Sequence, residues 1–226
     1  MPQDLASLLA RYRDRLAPIF PFPVRGPGVA RLNFTASNPL LAHPEQLRDT
    51  AAFAEIVQQM LAEQHATIGI GGYLENRVIY RRSSHFEDAT EARSLHLGVD
   101  MWVPAGTPVA APLAGVVHSV ADNNNFGDYG PTVIIQHWLE DVPFYTLYGH
   151  LSRIDLAALQ PRNPVLPGKA FARVGPYPEN GDWPPHLHFQ VIGDMQGRWG
   201  DFPGVAPASE QEYWAKLCPS PWLLLK

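Results

Sequence analysis

Cysteine is almost missing from this chain. Cys218 is the only one in 226 residues, which excludes an internal disulfide framework and any site built from several thiolates. Cys218 itself is expected to be a partly buried thiol in the C-terminal tail. Charge of one sign is missing too: 17 Lys and Arg stand against 22 Asp and Glu, for a net charge of -5. No basic run forms a phosphate track, so nucleic acid is not an expected partner. Nor does any apolar run approach the ~20 residues that cross a bilayer, so no membrane partner is expected. Charges interrupt the leucines of MPQDLASLLARYRDRL, unlike a signal-peptide core. The expected compartment is the cytoplasm for the chain as written, or the periplasm or cell exterior if a leader is missing. There is no repeat of fixed period, no low-complexity segment and no HExxH helix, so no glutamate is placed as a thermolysin-type base.

What is present is an ordinary core composition, 46% hydrophobic, with 23 prolines and nine histidines. Leu5, Leu8, Leu9, Tyr12 and Leu16 recur at helical spacing, predicting a short amphipathic helix that stops before Pro18. PIFPFPVRGPG (18–28) can sustain neither helix nor central strand and reads as an extended connector. Phe53, Ile56, Val57, Met60 and Leu61 predict a second helix capped by Asp49 or Thr50. From Thr67 the period shortens, and TIGIGGYL with NRVIYRR predicts a β-hairpin turning near Glu75 and Asn76. A polar loop follows at Ser83 to Thr90. Strands are expected at 107–111, 115–120, 132–138, 144–148 and 170–174, with a helical turn at 156–159. Their Pro, Gly and Asn punctuation argues for antiparallel meanders rather than βαβ units. The loop 121–131 is a candidate binding wall. Beyond Gly193 the chain reads as a loop-like tail carrying Trp199, Phe202, Trp214 and Trp222 over the sheet.

Two stretches carry chemistry. As one strand, SLHLGVDMW (94–102) puts Leu95, Leu97, Val99 and Met101 on one face and His96, Gly98 and Asp100 on the other. PHLHFQVI (185–192) likewise separates Leu187, Phe189 and Val191 from His186, His188 and Gln190. Brought together, these strands surround one point with imidazoles and a carboxylate, the donor set of a divalent ion. A catalytic zinc keeps three protein ligands and one open position. His96, Asp100 and one later histidine meet that count. Acid–base work would then fall to histidine, for which His150 in YGHLS is a further candidate. HxxxD and HxH each arise often by chance, and the weight comes from their combination.

The order HLGVD, VPAGTPVAAPLAGVV, TVIIQH, FYTLYGHLS, HLHFQV, over roughly residues 95–192, resembles the lysostaphin/LytM-type zinc metallopeptidases, which cut peptide cross-links of bacterial peptidoglycan. The resemblance implies a mainly β (α+β) fold, an antiparallel β-sheet core with N-terminal helices. It implies Zn2+ held by His96, Asp100 and His188, with His150 and His186 in acid–base or transition-state roles, and a peptide or related amide as substrate. His137 takes a structural role in that pattern; His43, His65, His85 and His118 are read as solvated or packing residues. GDWPPHLHF departs from the Ser/Thr-Gly-rich approach usual in the family. LNFTASNPLL, HLGVDMWVPAGTPV, DYGPTVII and ENGDWPPHLHFQVI resemble a branch in which the module lies between a kinase-like phosphotransferase domain and a class III aminotransferase domain. The expected organisation is an N-terminal helical and extended region with a hairpin (1–90), a metallopeptidase core (91–200) and a packing tail (201–226). Two other functional readings stand beside peptide hydrolysis: a non-catalytic zinc-binding regulatory module, and a hydrolase of a small cytosolic amide. An open groove suits a peptide, whereas loops closed by Tyr129, Trp183 and the tail suit a small molecule. Residues 18–50 are a candidate covering segment. Oligomeric state stays open.

Overall fold

The computed structural model describes residues 4–82 and 92–226. Its elements, in chain order, are α1 (Leu5–Arg11), β1 (Val29–Leu32), α2 (Thr50–Glu63), β2 (Ile68–Gly71), β3 (Arg93–His96), β4 (Val99–Trp102), β5 (Pro108–Ala110), β6 (Gly115–Asn123), β7 (Gly130–Leu139), β8 (Val142–Gly149), α3 (Arg153–Leu156), β9 (Pro164–Val165), β10 (Ala170–Arg173), β11 (Leu187–Ile192), β12 (Val205–Pro207) and α4 (Gln211–Leu217). Eight strands form the main sheet in the order β1-β2-β4-β11-β8-β7-β6-β9. The pair β1/β2 is parallel, and the rest of the sheet is antiparallel. Two small antiparallel ribbons, β5/β10 and β3/β12, complete the β structure.

The helices form where their apolar stripes predict. Asp49 caps α2 by accepting from the backbone N–H groups of Ala51 and Ala52, and Phe53, Val57, Met60 and Leu61 are buried. In α1, Leu8 and Leu9 are fully buried against the main core.

The sheet is covered on both faces. Val99 and Met101 of β4 and Leu187, Phe189 and Val191 of β11 enter the main core. The opposite face carries Asp100, Trp102, His188 and Gln190, all buried. It is covered by α2 with its neighbours Phe34, Phe53 and Trp183, and by the tail residues Phe202, Ala206 and Cys218. Burial of both faces gives β4 and β11 an unbroken run of buried residues despite their alternating chemistry.

Several expectations are corrected. SLHLGVDMW is not one strand. It breaks at Leu97 and Gly98, so that β3 pairs with β12 and β4 enters the main sheet. Leu97 therefore packs with the tail cluster instead of sharing a face with Val99 and Met101. The break is where the backbone passes His188: a Cβ on Gly98 would lie 2.5 Å from Cε1 of that ring, so only glycine fits. The predicted hairpin at 67–82 is half right. TIGIGG supplies β2, but NRVIYRR makes only an isolated antiparallel bridge, Asn76 to Leu95, and then ends in a 3₁₀ turn at Ile79–Arg82. The tail is not merely loop-like, since it contributes β12 and α4. The predicted helical turn at 156–159 lies slightly earlier, as α3. Cys218 is fully buried, and the loop at 83–90, with His85, falls outside the described residues.

Candidate metal centre

Register brings the chemistry together. In the sheet His188 stands opposite Asp100 of β4 on one side and Gly149 of β8 on the other. His150 leaves the end of β8 with φ at +60°, a left-handed conformation that non-glycine residues adopt at a cost. His186 sits just ahead of β11. His96 comes back to the same point because the chain turns at Leu97 and Gly98. All five predicted residues are buried, at 0 to 5% exposure.

Three donor atoms converge. His188 Nδ1 lies 3.0 Å from His96 Nε2 and 3.0 Å from Asp100 Oδ1, and His96 Nε2 lies 3.2 Å from that same oxygen. Hydrogen-bond partners on the far side of each group fix which atoms face inward. His96 Nδ1 meets the Gly72 carbonyl at 2.8 Å. A carbonyl only accepts, so Nδ1 carries the proton and Nε2 turns a lone pair to the centre. Gln190 donates its amide to the Pro203 carbonyl at 3.0 Å, which leaves its oxygen toward His188 Nε2 at 2.9 Å. That nitrogen is therefore the N–H, and His188 Nδ1 also turns a lone pair inward. The other carboxylate oxygen of Asp100 accepts from Arg77, which leaves Oδ1 for the centre.

Three lone-pair donors about 3 Å apart repel one another unless a cation lies among them. Tetrahedral zinc with bonds of ~2.0–2.1 Å separates its ligand atoms by about 3.3 Å. The donor set fits such an ion, and every ligand atom has the outer partner that orients metal-binding histidines and carboxylates.

The outer partners are a buried charge network. Arg77 donates to Glu75 at 2.8 Å, to the Tyr80 hydroxyl at 3.2 Å and to Asp100. Glu75 also accepts from the N–H groups of Phe34 and Gly72. Burial opposes the charge on Arg77, yet Tyr80, Asp100 and Glu75 hold its pKa above the usual value. Burial likewise opposes ionisation of Asp100, but His96 and Arg77 keep its carboxyl well below the usual range. Sequence reasoning missed this network, because NRVIYRR has the composition of a strand. The one signal was an Arg–Glu pair flanking a turn.

His150 and His186 line the pocket beside this centre with their rings 4.1 Å apart. His150 Nδ1 donates to the Asn180 carbonyl and His186 Nδ1 to the Pro184 carbonyl, each at 2.8 Å. Both thus keep an unprotonated Nε2. Trp102 stacks on His186 at 4.1 Å. Burial pushes the pKa of His186 down to about 4 and that of His150 well below its ordinary value, so both rings are neutral at neutral pH. His137 is elsewhere, fully buried in β7 and bonded to Ala114 and Thr146. His118 packs against Tyr145 and Trp199.

The loop read as a candidate wall does line the pocket, through residues 127–129, together with Ile79, Tyr80, Trp183 and 201–205. None of the described residues of 18–50, the expected covering segment, is part of its wall. No helix among the described residues is long and apolar enough to cross a membrane.

Comparison with known proteins shows what this part of the chain is similar to. The family model described as Peptidase family M23 matches residues 94–198. Among solved structures, the chain is 26% identical to an M23 peptidase from Pseudomonas aeruginosa, covering 57% of this chain and 43% of that one with a TM-score of 0.39. It is 27% identical to a zinc-containing peptidase from Vibrio cholerae, over 46% of this chain and 29% of that one at a TM-score of 0.35. The catalytic domain of the antimicrobial peptidase lysostaphin from Staphylococcus simulans is 20% identical, over 54% and 80% of the two chains at a TM-score of 0.37. The match therefore spans less than half the length of the first two chains. No curated protein matches the sequence. Residues 94–198, which contain His96, Asp100, His150, His186 and His188, are thus similar to Peptidase family M23.

Proposed function

We propose that the chain is a zinc-dependent hydrolase of peptide or closely related amide bonds, with His96, Asp100 and His188 holding the ion and His150 and His186 moving protons. The observation that carries this reading is the triangle of three inward lone pairs, with edges of 3.0 to 3.2 Å, beside two histidines whose Nε2 atoms have no hydrogen-bond partner among the described residues. Zinc at such a site supplies Lewis acidity toward the scissile carbonyl and acidifies water. With one carboxylate and two neutral imidazoles as ligands, the site carries a net charge of about +1, which moderates that acidification.

The protein's own residues do the rest. A neutral Nε2 of His150 or His186 accepts a proton from the attacking water. The water oxygen bonds to the carbonyl carbon, the C–N bond breaks, and the proton returns to the departing nitrogen. When protonated, the same rings donate to the developing oxyanion. Arg77 keeps Asp100 ionised, and the Gly72 and Gln190 contacts hold the two ligand imidazoles in the binding tautomer. Trp183, Tyr129 and Tyr80 line the pocket, and their rings lower the local dielectric around these groups, which strengthens each of these interactions.

The test measures bound zinc and peptide turnover together. His188→Ala is expected to lose both. His150→Ala is expected to retain zinc and lose turnover. Full zinc occupancy in the first variant would remove His188 from the ligand set.

A further inference from the structure

On that reading of the site, we infer that Asn180, which is not part of the pocket wall, is the positioning residue that aims His150 at the reacting atoms. His150 is held at three points. Its N–H donates to the Tyr129 carbonyl, its own carbonyl accepts from the Gly175 N–H, and its Nδ1 donates to the Asn180 carbonyl, each at 2.8 Å. The first two fix the backbone. The third is the hydrogen bond to the ring. Packing against His186 and Tyr129 confines that ring, but the bond at Nδ1 selects which nitrogen keeps the lone pair and faces the pocket.

No strand ladder holds the Asn180 carbonyl, because residues 175–186 run through turns and bends. The Asn180 side chain does so instead. It is fully buried. Its Oδ1 accepts from the Trp183 N–H at 3.2 Å, and its Nδ2 donates to the carbonyls of Trp183 at 2.9 Å and Gly175 at 3.3 Å. A carboxamide offers one acceptor group and two donors, and all three are used here to tie the two ends of the loop together. Asp has the same shape without the donors, and Leu lacks all three. Gly130 lets β7 pass directly against this peptide, since a Cβ there would lie 2.7 Å from the Asn180 carbonyl carbon.

The same amide reaches toward the second histidine. Trp183 lines the pocket, donates its indole N–H to the Asp128 carbonyl at 3.1 Å, and immediately precedes Pro184, whose carbonyl accepts from His186 Nδ1. Loss of the Asn180 amide therefore misdirects His150 first and His186 less. The loop keeps other fastenings. Glu179 accepts from the Ser152 hydroxyl at 2.9 Å and the Arg153 N–H at 3.1 Å, and the Gly181 carbonyl accepts from the Gly127 N–H at 2.9 Å. With these in place the loop stays attached without the amide, and the loss falls on alignment. A displacement of ~1 Å in a reacting group costs on the order of 10²-fold in rate.

The experiment compares the zinc-loaded wild-type chain with Asn180→Ala and Asn123→Ala on Gly- and Ala-containing peptides and on purified peptidoglycan. Asn123 is the control. Its amide also bridges two segments, donating to the Thr132 hydroxyl and the Gly200 carbonyl at 3.1 Å each, and it is not part of the pocket wall. Asn180→Ala is expected to lower kcat by ~10–100-fold with KM and zinc content nearly unchanged. In nitrogen–proton NMR spectra its His150 Nδ1 proton should exchange with water faster than in the wild type. Asn123→Ala should keep the wild-type kcat. Asn180→Ser, which replaces one donor, should retain part of kcat and stands in if the Ala variant does not fold. Wild-type kcat in both Asn180 variants, an equal loss in Asn123→Ala, or a loss carried by KM or by zinc would overturn the assignment and leave the hydrolase intact. No turnover of any of these substrates by zinc-loaded wild type would overturn the hydrolase reading and this inference with it.

Discussion

His137 and His96 are both fully buried on the same β scaffold, and burial pushes the pKa of each down to about 4. By residue type, depth and titration they are the same. They differ in where their second nitrogen goes. His137 donates or accepts on both sides within the protein, to the Ala114 carbonyl at 2.9 Å and to the Thr146 hydroxyl at 2.7 Å. His96 is satisfied on one side by Gly72, while on the other its lone pair confronts those of His188 and Asp100. A closed hydrogen-bond circuit stabilises a fold; an open one with converging lone pairs is completed by something from outside. Depressed titration alone therefore does not identify a functional histidine here, and the partner of the second nitrogen does.

That contrast can be broken in four ways. The largest effect belongs to His188→Ala, which removes one of the three proposed ligands and should abolish zinc retention after dialysis; metal content by mass spectrometry decides it. Next is His150→Ala. Loss of one positioned acid–base group should lower kcat by ~10²–10⁴-fold with zinc content unchanged, and an unaltered kcat would remove His150 from the chemistry. Arg77→Met should weaken zinc binding by ~10–100-fold, as loss of an outer partner does. Competition with a chelator measures this, with Arg77→Lys as a charge-preserving control for folding; wild-type affinity in the Met variant would show that Asp100 needs no partner.

The smallest effect is at His137. Its folded pKa of about 4 lies below the unfolded value of ~6.5, so between these the unfolded chain binds more protons and stability falls as the pH falls. Above the window the contribution is fully present. His137→Gln, which keeps hydrogen bonding without titrating, should leave zinc and turnover unchanged. In denaturant titrations of the zinc-loaded protein it should flatten the loss of stability from about pH 6.5 to about 4. Parallel slopes for the two proteins would remove His137 as a contributor.

Much of the site could be read before any fold was known, because its residues sit in two short stretches with strict alternation. In PHLHFQVI, Leu187, Phe189 and Val191 do enter the core while His188 and Gln190 face the centre. In SLHLGVDMW the same rule failed at its middle. Alternation assumes a continuous strand, and Gly98 breaks it so that the backbone can pass the His188 ring. The hairpin expected at 67–82 failed because β2 pairs with β1 and β4, while Asn76 and Arg77 bridge to Leu95 and Ser94 before the chain turns at Ile79–Arg82.

The sequence by itself determined the donor chemistry, the helical stripes of α1 and α2, the antiparallel β character and the family motifs, because each is written in residue types at short, regular spacing. Only the tertiary structure decided that β4, β11 and β8 lie side by side, so that Asp100, His188 and His150 meet. It alone placed Arg77 behind Asp100, and it closed the pocket with residues as distant as Tyr80, Tyr129, Trp183 and Val205. These are contacts between residues tens of positions apart, chosen by packing and by the pairing of buried charge, and no local pattern records them.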